Sequence, residues 1–293
     1  MVIGIIISSI ILLALLAASA SDIKTREVPD WLSYGLIFTG LSVRLIYSAA
    51  TSDWWFILNG IAGFLIFLGI GFLMFYAGQW GGGDSKMIMG LGALLGLDFM
   101  NYTRLFYDSM LVGFLINLMF IGAVYGLLWS IIMAVVKWRS FIKEFKMFLS
   151  NKTFLKVRRI VLAVILLVLI SLVLIPQDFI KIMILFLMLI ILITLYLWPF
   201  VKSVENVCMY KMVTPDRLTE GDWIADDVKV AGRVICGPKD LGIEKIQIKE
   251  LLKLHKHGKV KQIRIKEGIP FIPSFLIAFI ITLIWGNLLA ILL

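Results

Sequence analysis

The sequence is short of charge, cysteine, histidine and proline, and each shortage closes off a class of protein. Charged residues make up 16% of the 293, against 61% hydrophobic, and mean hydropathy reaches +0.99. A soluble domain of this length could not cover so much apolar surface with so few polar groups, so the chain reads as an integral membrane protein. The two cysteines, Cys208 and Cys236, cannot build a disulfide framework, and neither belongs to a C-x-x-C pair. The two histidines, His255 and His257, stand at i, i+2, a spacing that diverges on a helix; with the cysteines they match no zinc finger or knuckle, so no metal site is expected. Net charge is +9, yet the basic residues flank apolar runs, where they orient the chain and meet anionic lipid; nucleic acid is not an expected partner.

What is present in abundance is the apolar run. A bilayer core needs about 20 apolar residues per helix, and the candidate segments are 2–20, 31–50, 54–77, 86–97, 109–136, 160–175, 179–200 and 271–293. The first lacks a basic leading region and opens into a charged loop followed by further spans, so it reads as a retained helix rather than a secretory signal. The fourth is short: at about 1.5 Å per residue its dozen residues reach roughly 18 Å. If it crosses, the loops after segments 1, 3, 5 and 7 share one side and collect Lys24, Arg26, Lys86, the basic stretch from Lys137 to Arg159 and the basic region 201–270. The opposite loops hold Asp53, Asp98, Arg104, Asp108 and Asp178. The positive-inside rule makes the first set cytoplasmic and both termini external.

The expected architecture is therefore an all-α polytopic membrane protein of about eight transmembrane helices, one of them short, with a small cytoplasmic α+β module. Its parts are a transmembrane core over 1–136, a basic amphipathic loop over 137–159 and a further helix pair over 160–200. The module over 201–270 and a final helix over 271–293 complete it. Phe141, Phe145, Phe148 and Leu149 recur at helical spacing opposite Lys143 and Lys146, the pattern of a helix lying in the headgroup plane. Within the module, "LGIEKIQIKELLKLHKHG" reads as a helix ending at Gly258, and Val260, Ile263 and Ile265 alternate with charge as in a strand.

Chemistry concentrates in two acidic stretches on the inner side, "SDIKTREVPDWLS" after the first segment and "GQWGGGDSK" before the fourth. Segment 1 descends to Asp22 and segment 4 begins just after Asp84, so two carboxylates from distant sequence meet at one depth. Two aspartates sharing a proton can activate a water, one as base while the other polarises a carbonyl, which is peptide hydrolysis. Gly81 to Gly83 are expected to stay unwound and leave room for an extended peptide; Gly92 and Gly96 stand at helix-packing GxxxG spacing. Asp30 after Pro29 reads as a helix N-cap, and Lys86 as a side chain reaching the headgroups. Trp31, Trp54, Trp55, Trp80 and Trp198, at segment ends, read as an interfacial belt.

Together the two stretches resemble the type IV prepilin peptidase family, including the archaeal preflagellin (archaellin) peptidases, membrane aspartyl proteases of the GxGD class. Asp22 with Val28, Pro29 and Asp30 matches the family's D-x₆-[IV]-P-[DN]-like pattern, and Gly81, Gly83 and Asp84 match its G-x-G-D motif. The resemblance covers roughly 1–136, and "IPFIPSFLIAFIITLIWGN" looks like the last helix of archaeal members. It implies an endopeptidase removing the short basic leader from type IV pilin-like or archaellin precursors at the cytoplasmic face of the plasma membrane. Asp22 and Asp84 would be catalytic, Gly81, Gly83, Pro29 and Asp30 supporting, and Glu27 a contact for the basic leader, with no cofactor. The paired C-x-x-C module of bacterial relatives is missing between the first two helices, so N-methyltransferase activity is not implied. The alternative is a small ion- or proton-coupled transporter using Asp22 and Asp84 as ion sites, although such folds place charges nearer the midplane and show repeats.

Overall fold

Long apolar runs with little glycine or proline inside them have one way to satisfy their backbone in lipid, and they become helices. The computed structural model describes residues 2–97, 109–230 and 232–292; Asp98, Arg104 and Asp108, used above to assign sides, lie outside them. In chain order the first helices are α1 (Val2–Thr25), α2 (Asp30–Thr51), α3 (Trp54–Tyr76), α4 (Gly82–Leu95) and α5 (Met110–Val136). They are followed by α6 (Trp138–Leu149), α7 (Lys152–Ser171) and α8 (Asp178–Val204). The helices α9 (Lys245–Lys256), α10 (Ile272–Trp285) and α11 (Leu288–Leu292) complete the series.

Among the described residues, six helical stretches are long and apolar enough to cross a membrane: α1, α2, α3, α5, Lys152–Leu174 and Asp178–Met209. The fourth and last of the eight candidate segments form α4 and α10, 14 residues each. At about 1.5 Å per residue these reach roughly 21 Å, short of a bilayer core of about 30 Å. Gly286, at φ 70°, ends α10 well before the apolar run does.

The chain divides into two compact units, 1–128 with 212–293, and 129–211. In the first, α4 is a core helix, buried from Met87 to Leu94. It is apolar on every side, which only a helix enclosed by others can be. Gly92 lies so close to Gly63 and Phe67 of α3 that a Cβ would collide, and a Cβ on Gly90 would crowd Leu36 of α2 at 3.0 Å. A helix ending inside a bundle must also find donors for its last carbonyls. Arg44 of α2 supplies them, its Nη2 donating to the oxygens of Leu94 and Leu95 at 2.7 Å each and its Nη1 to Phe56 O at 2.7 Å. Gly96 packs against Gly63 of α3 as expected, and it also leaves α4 at φ 68° and makes room for that guanidinium.

α1 packs on α10, with Ile11, Leu15, Phe275 and Phe279 wholly buried, and Phe114 of α5 meets Phe275 and Phe279 edge to face at 6.4 Å. Buried Asn117 of α5 pins the end of α10: its Nδ2 donates to Thr282 Oγ1 (2.9 Å) and Gly286 O (2.7 Å), and its Oδ1 accepts from Leu288 N–H (3.0 Å).

The strands are β1 (Tyr210–Val213), β2 (Trp223–Ile224), β3 (Val228–Val230), β4 (Arg233–Cys236) and β5 (Ile263–Lys266). β5 is the centre of a three-stranded sheet ordered β1-β5-β2, with Ile224 opposite Ile265 in an antiparallel pair, and β3 and β4 form a second antiparallel pair. Ile224, Ile263, Ile265, Val260 and Leu251 of α9 share one small core. α9 ends where the sequence places it, with Gly258 at φ 71°.

In the second unit α6 is helical, but its aromatic face meets protein. Phe141 is buried with Val204 and Cys208, stacks on Phe145 at 5.5 Å and meets Phe200 of α8 edge to face at 5.4 Å.

Candidate active site

α1 does not stop where its apolar run does. It runs one turn further, to Thr25, and closes with Arg26 at φ 61° donating its N–H to Asp22 O at 2.9 Å. Asp22 therefore sits in the last turn, 6% exposed. A buried carboxylate needs donors, and one comes from far along the chain: the backbone N–H of Ile272, at the start of α10, to Asp22 Oδ2 at 2.9 Å. That N–H is one of the unpaired donors at a helix N-terminus, where the partial charge is positive.

Asp84 is the third residue of α4, and its Oδ2 accepts the N–H of Gly81 at 3.1 Å while Ser85 N–H donates to Gly81 O at 3.1 Å. These bonds wind the first turn, so Gly82 and Gly83 are helical and only Gly81 is extended, at φ −71° and ψ 167°. The expected unwound triplet is thus corrected, because the aspartate side chain caps its own helix. The glycine that matters sterically is Gly83, where a Cβ would lie 3.1 Å from Val28 Cβ, whereas at Gly81 the nearest atom would be 3.6 Å away. Val28 is buried, and Pro29, at φ −59° and ψ 131°, turns the chain from it into α2.

Asp30 is corrected as well. Pro29 occupies the N-cap position and Asp30 the first helical one, where it makes no cap. Its Oδ1 accepts from Lys86 Nζ at 2.6 Å, and Lys86 also lies 5.3 Å over the Tyr34 ring, so that lysine ties α4 to α2 instead of reaching outward. Trp80 leaves the interfacial belt: it is 4% exposed and packs on Phe271 and Phe275 at 6.3 and 5.5 Å, whereas Trp31, Trp54, Trp55 and Trp198 are exposed.

The N-terminus of α10 thus touches both acidic stretches, through Ile272 on Asp22 and through Phe271 and Phe275 on Trp80, four residues before Asp84. Asp22 and Asp84 lie within electrostatic reach of each other. Tyr125 of α5, one turn beyond Gly122 where the Phe271 ring packs, lies within reach of Asp22 and Arg26. The reading of the sequence missed Ile272, Phe271 and Tyr125; the proline-bracketed "IPFIP" before the last apolar run was the available mark of a helix start.

Around this pair the strand-bearing segment supplies contacts. Trp223 lies against Gly78, and Arg26 Nη1 donates to Gly268 O at 3.4 Å. Burial pushes the Asp222 carboxyl above the usual range, partly offset by the Thr219 N–H it accepts, and the charges of Glu27 and Glu267 push it the same way. The four residues weighed for zinc are used otherwise: His255 and His257 ring nitrogens bond Val260 O and Lys253 O at 2.7 Å each, and Cys208 and Cys236 are buried in different units.

Residues 9–131 match the type IV leader peptidase family. Through that segment the chain is leader-peptidase-like. The match includes both Asp22 and Asp84 and ends well before Ile272. Among curated relatives, the preflagellin peptidase of Methanococcus voltae is 43% identical over 84 residues, 29% of this chain and 36% of its own. That of Methanocaldococcus jannaschii is 40% identical over 83 residues, 28% and 35% of the two chains, and that of Methanococcus maripaludis 39% over 83 residues, 28% and 36%. The chain spans about a third of the length of the curated relatives it matches.

Proposed function

We propose that the chain is a multi-pass membrane aspartyl endopeptidase that removes the leader from type IV pilin-like or archaellin precursors, with Asp22 and Asp84 as its catalytic pair. The observation carrying this reading is that two aspartates from sequence-distant helix ends, both inside the leader-peptidase-like segment, lie within electrostatic reach at the N-terminus of α10. A water between the two carboxyls gives a proton to the ionised one and attacks the scissile carbonyl carbon, while the protonated one donates to the carbonyl oxygen. Collapse of the tetrahedral species returns a hydroxyl proton to the second carboxylate and expels the amine, which takes the proton held by the first. Gly83 keeps Asp84 close to the Val28-Pro29 segment and thereby to α1. Glu27, beside Asp222 and Glu267, offers negative charge to a basic leader.

The positive-inside reading puts this site at the cytoplasmic face of the plasma membrane, both termini outside, with α4 and α10 completing eight crossings. Co-expression of a precursor with the wild type, Asp22→Asn or Asp84→Asn, followed by mass spectrometry, tests the proposal. The expected result is cleavage between leader and apolar helix by wild type only, with an unmethylated new terminus. Full cleavage by either variant removes the catalytic pair.

A further inference from the structure

The second unit holds a cavity that the proposed chemistry does not use. Phe148 at the end of α6, Phe154 and Val157 in the first turns of α7, and Trp198 of α8 wall a space of about 490 Å³, and its polar groups come from Asn151 and Thr153. That volume lies within the roughly 300–1,000 Å³ of small-molecule sites. The walls are fixed by ring contacts, Phe148 edge-on to Trp198 at 5.9 Å and Phe154 edge-on to Tyr196 at 6.2 Å. The polar end is the start of α7, where Asn151 Oδ1 accepts the Thr153 N–H at 2.8 Å.

Charge decides the occupant. Lys152, Lys156 and Arg159 recur at i, i+4 and i+7 along the same first turns of α7 whose Thr153, Phe154 and Val157 wall the cavity. All three are exposed, and among the described residues none is in an ion pair. No acidic residue occurs between Glu144 and Asp178, and Glu144 is engaged by Asn206 at 2.9 Å. An apolar space walled by the first turns of α7, turns that also carry three exposed cations, in a unit whose two long helices are apolar enough to span a membrane, matches a molecule with a hydrocarbon tail and a negative head. We propose that the cavity seats one anionic phospholipid, an acyl chain between α6, α7 and α8 and the phosphate over Lys152, Lys156 and Arg159. This inference is independent of the proposed protease activity.

The test is native mass spectrometry of the full chain in detergent, titrated with phosphatidylglycerol or with phosphatidylcholine of the same acyl chains. Wild type should retain phosphatidylglycerol about ten-fold better or more, since each basic side chain near an anionic headgroup contributes on the order of 1 kcal/mol. Replacing Lys152, Lys156 and Arg159 together by Gln should abolish the preference. Val157→Trp, or Leu195→Trp from the α8 wall, should lower retention of both lipids by filling the space, with helix content checked by circular dichroism. Equal retention of the two lipids by wild type, an unchanged preference in the Gln variant, or full retention by both folded Trp variants would overturn the proposal.

Discussion

Arg44 is the residue on which the short core helix depends, and its removal can be worked through. Its side chain is 4% exposed and donates to three backbone oxygens, those of Phe56, Leu94 and Leu95, at 2.7 Å each, while its guanidinium lies 4.4 Å over the Phe56 ring. Arg44→Leu leaves those oxygens without this partner inside the bundle, at about 1–3 kcal/mol each. It also relieves the cost of burying a cation, which brings the net loss to the lower part of that summed range, about 3–5 kcal/mol. At about 2–4 °C per kcal/mol that is a fall of roughly 6–20 °C in the unfolding temperature, read by scanning fluorimetry in detergent.

A double-mutant cycle isolates the cause. A Cβ on Gly60 would collide with Arg44 Cδ and lie 3.1 Å from Ala93 O, so Gly60→Ala should destabilise wild type more than an Arg44→Ala background, with a coupling of about 0.5–3 kcal/mol. Additive effects of the two substitutions, or an Arg44→Leu protein melting with wild type, would refute the assignment of Arg44 as the terminal donor of α4.

Three further perturbations separate local causes. Gly83→Ala should cost about 1–3 kcal/mol through overpacking on Val28 Cβ, while Gly81→Ala, with no atom nearer than 3.6 Å, should cost less; equal melting of the two Ala variants would contradict this. Asn117→Leu strips partners from Thr282, Gly286 and Leu288 and should lower stability by about 2–4 kcal/mol, whereas Asn117→Gln should lose less; melting curves of the two decide it. Burial, with the charges of Asp240 and Glu250, pushes the Cys236 thiol up to about 11, so at pH 8 it is protonated as well as 1% exposed. Maleimide should leave it unmodified in the folded protein and label it after denaturation, which peptide mapping reads.

The helices were legible because apolar length is a local property of sequence, and so were α9 and the run of Val260, Ile263 and Ile265, which shows the expected alternation as a buried set. Asp22 and Asp84 could be paired from sidedness, because depth in a bilayer can be counted along the chain. What could not be read is anything set by a contact across the fold. Arg44 looks like an arginine misplaced in an apolar run until the carbonyls of Leu94 and Leu95 arrive beside it. Trp80 stands at a segment end like the belt tryptophans, and only the rings of Phe271 and Phe275 draw it inside. Asp30 follows a proline as caps do, but the ammonium of Lys86 takes its oxygen.

The same distinction bears on the proposed catalytic pair. Asp22 lies in the last turn of α1, where partial charge is negative, and Asp84 in the first turn of α4, where it is positive. The fold changes the first half of that picture by bringing the N-terminus of α10 onto Asp22, so each carboxylate accepts a backbone N–H, one from Ile272 and one from Gly81. Two carboxyls furnished alike are closer to interchangeable, as the proposed exchange of base and acid roles within one turnover requires. The N–H on Asp22 comes from outside the segment that matches the leader peptidases. Residues 9–131 carry both aspartates, therefore, without carrying the donor that orients the first.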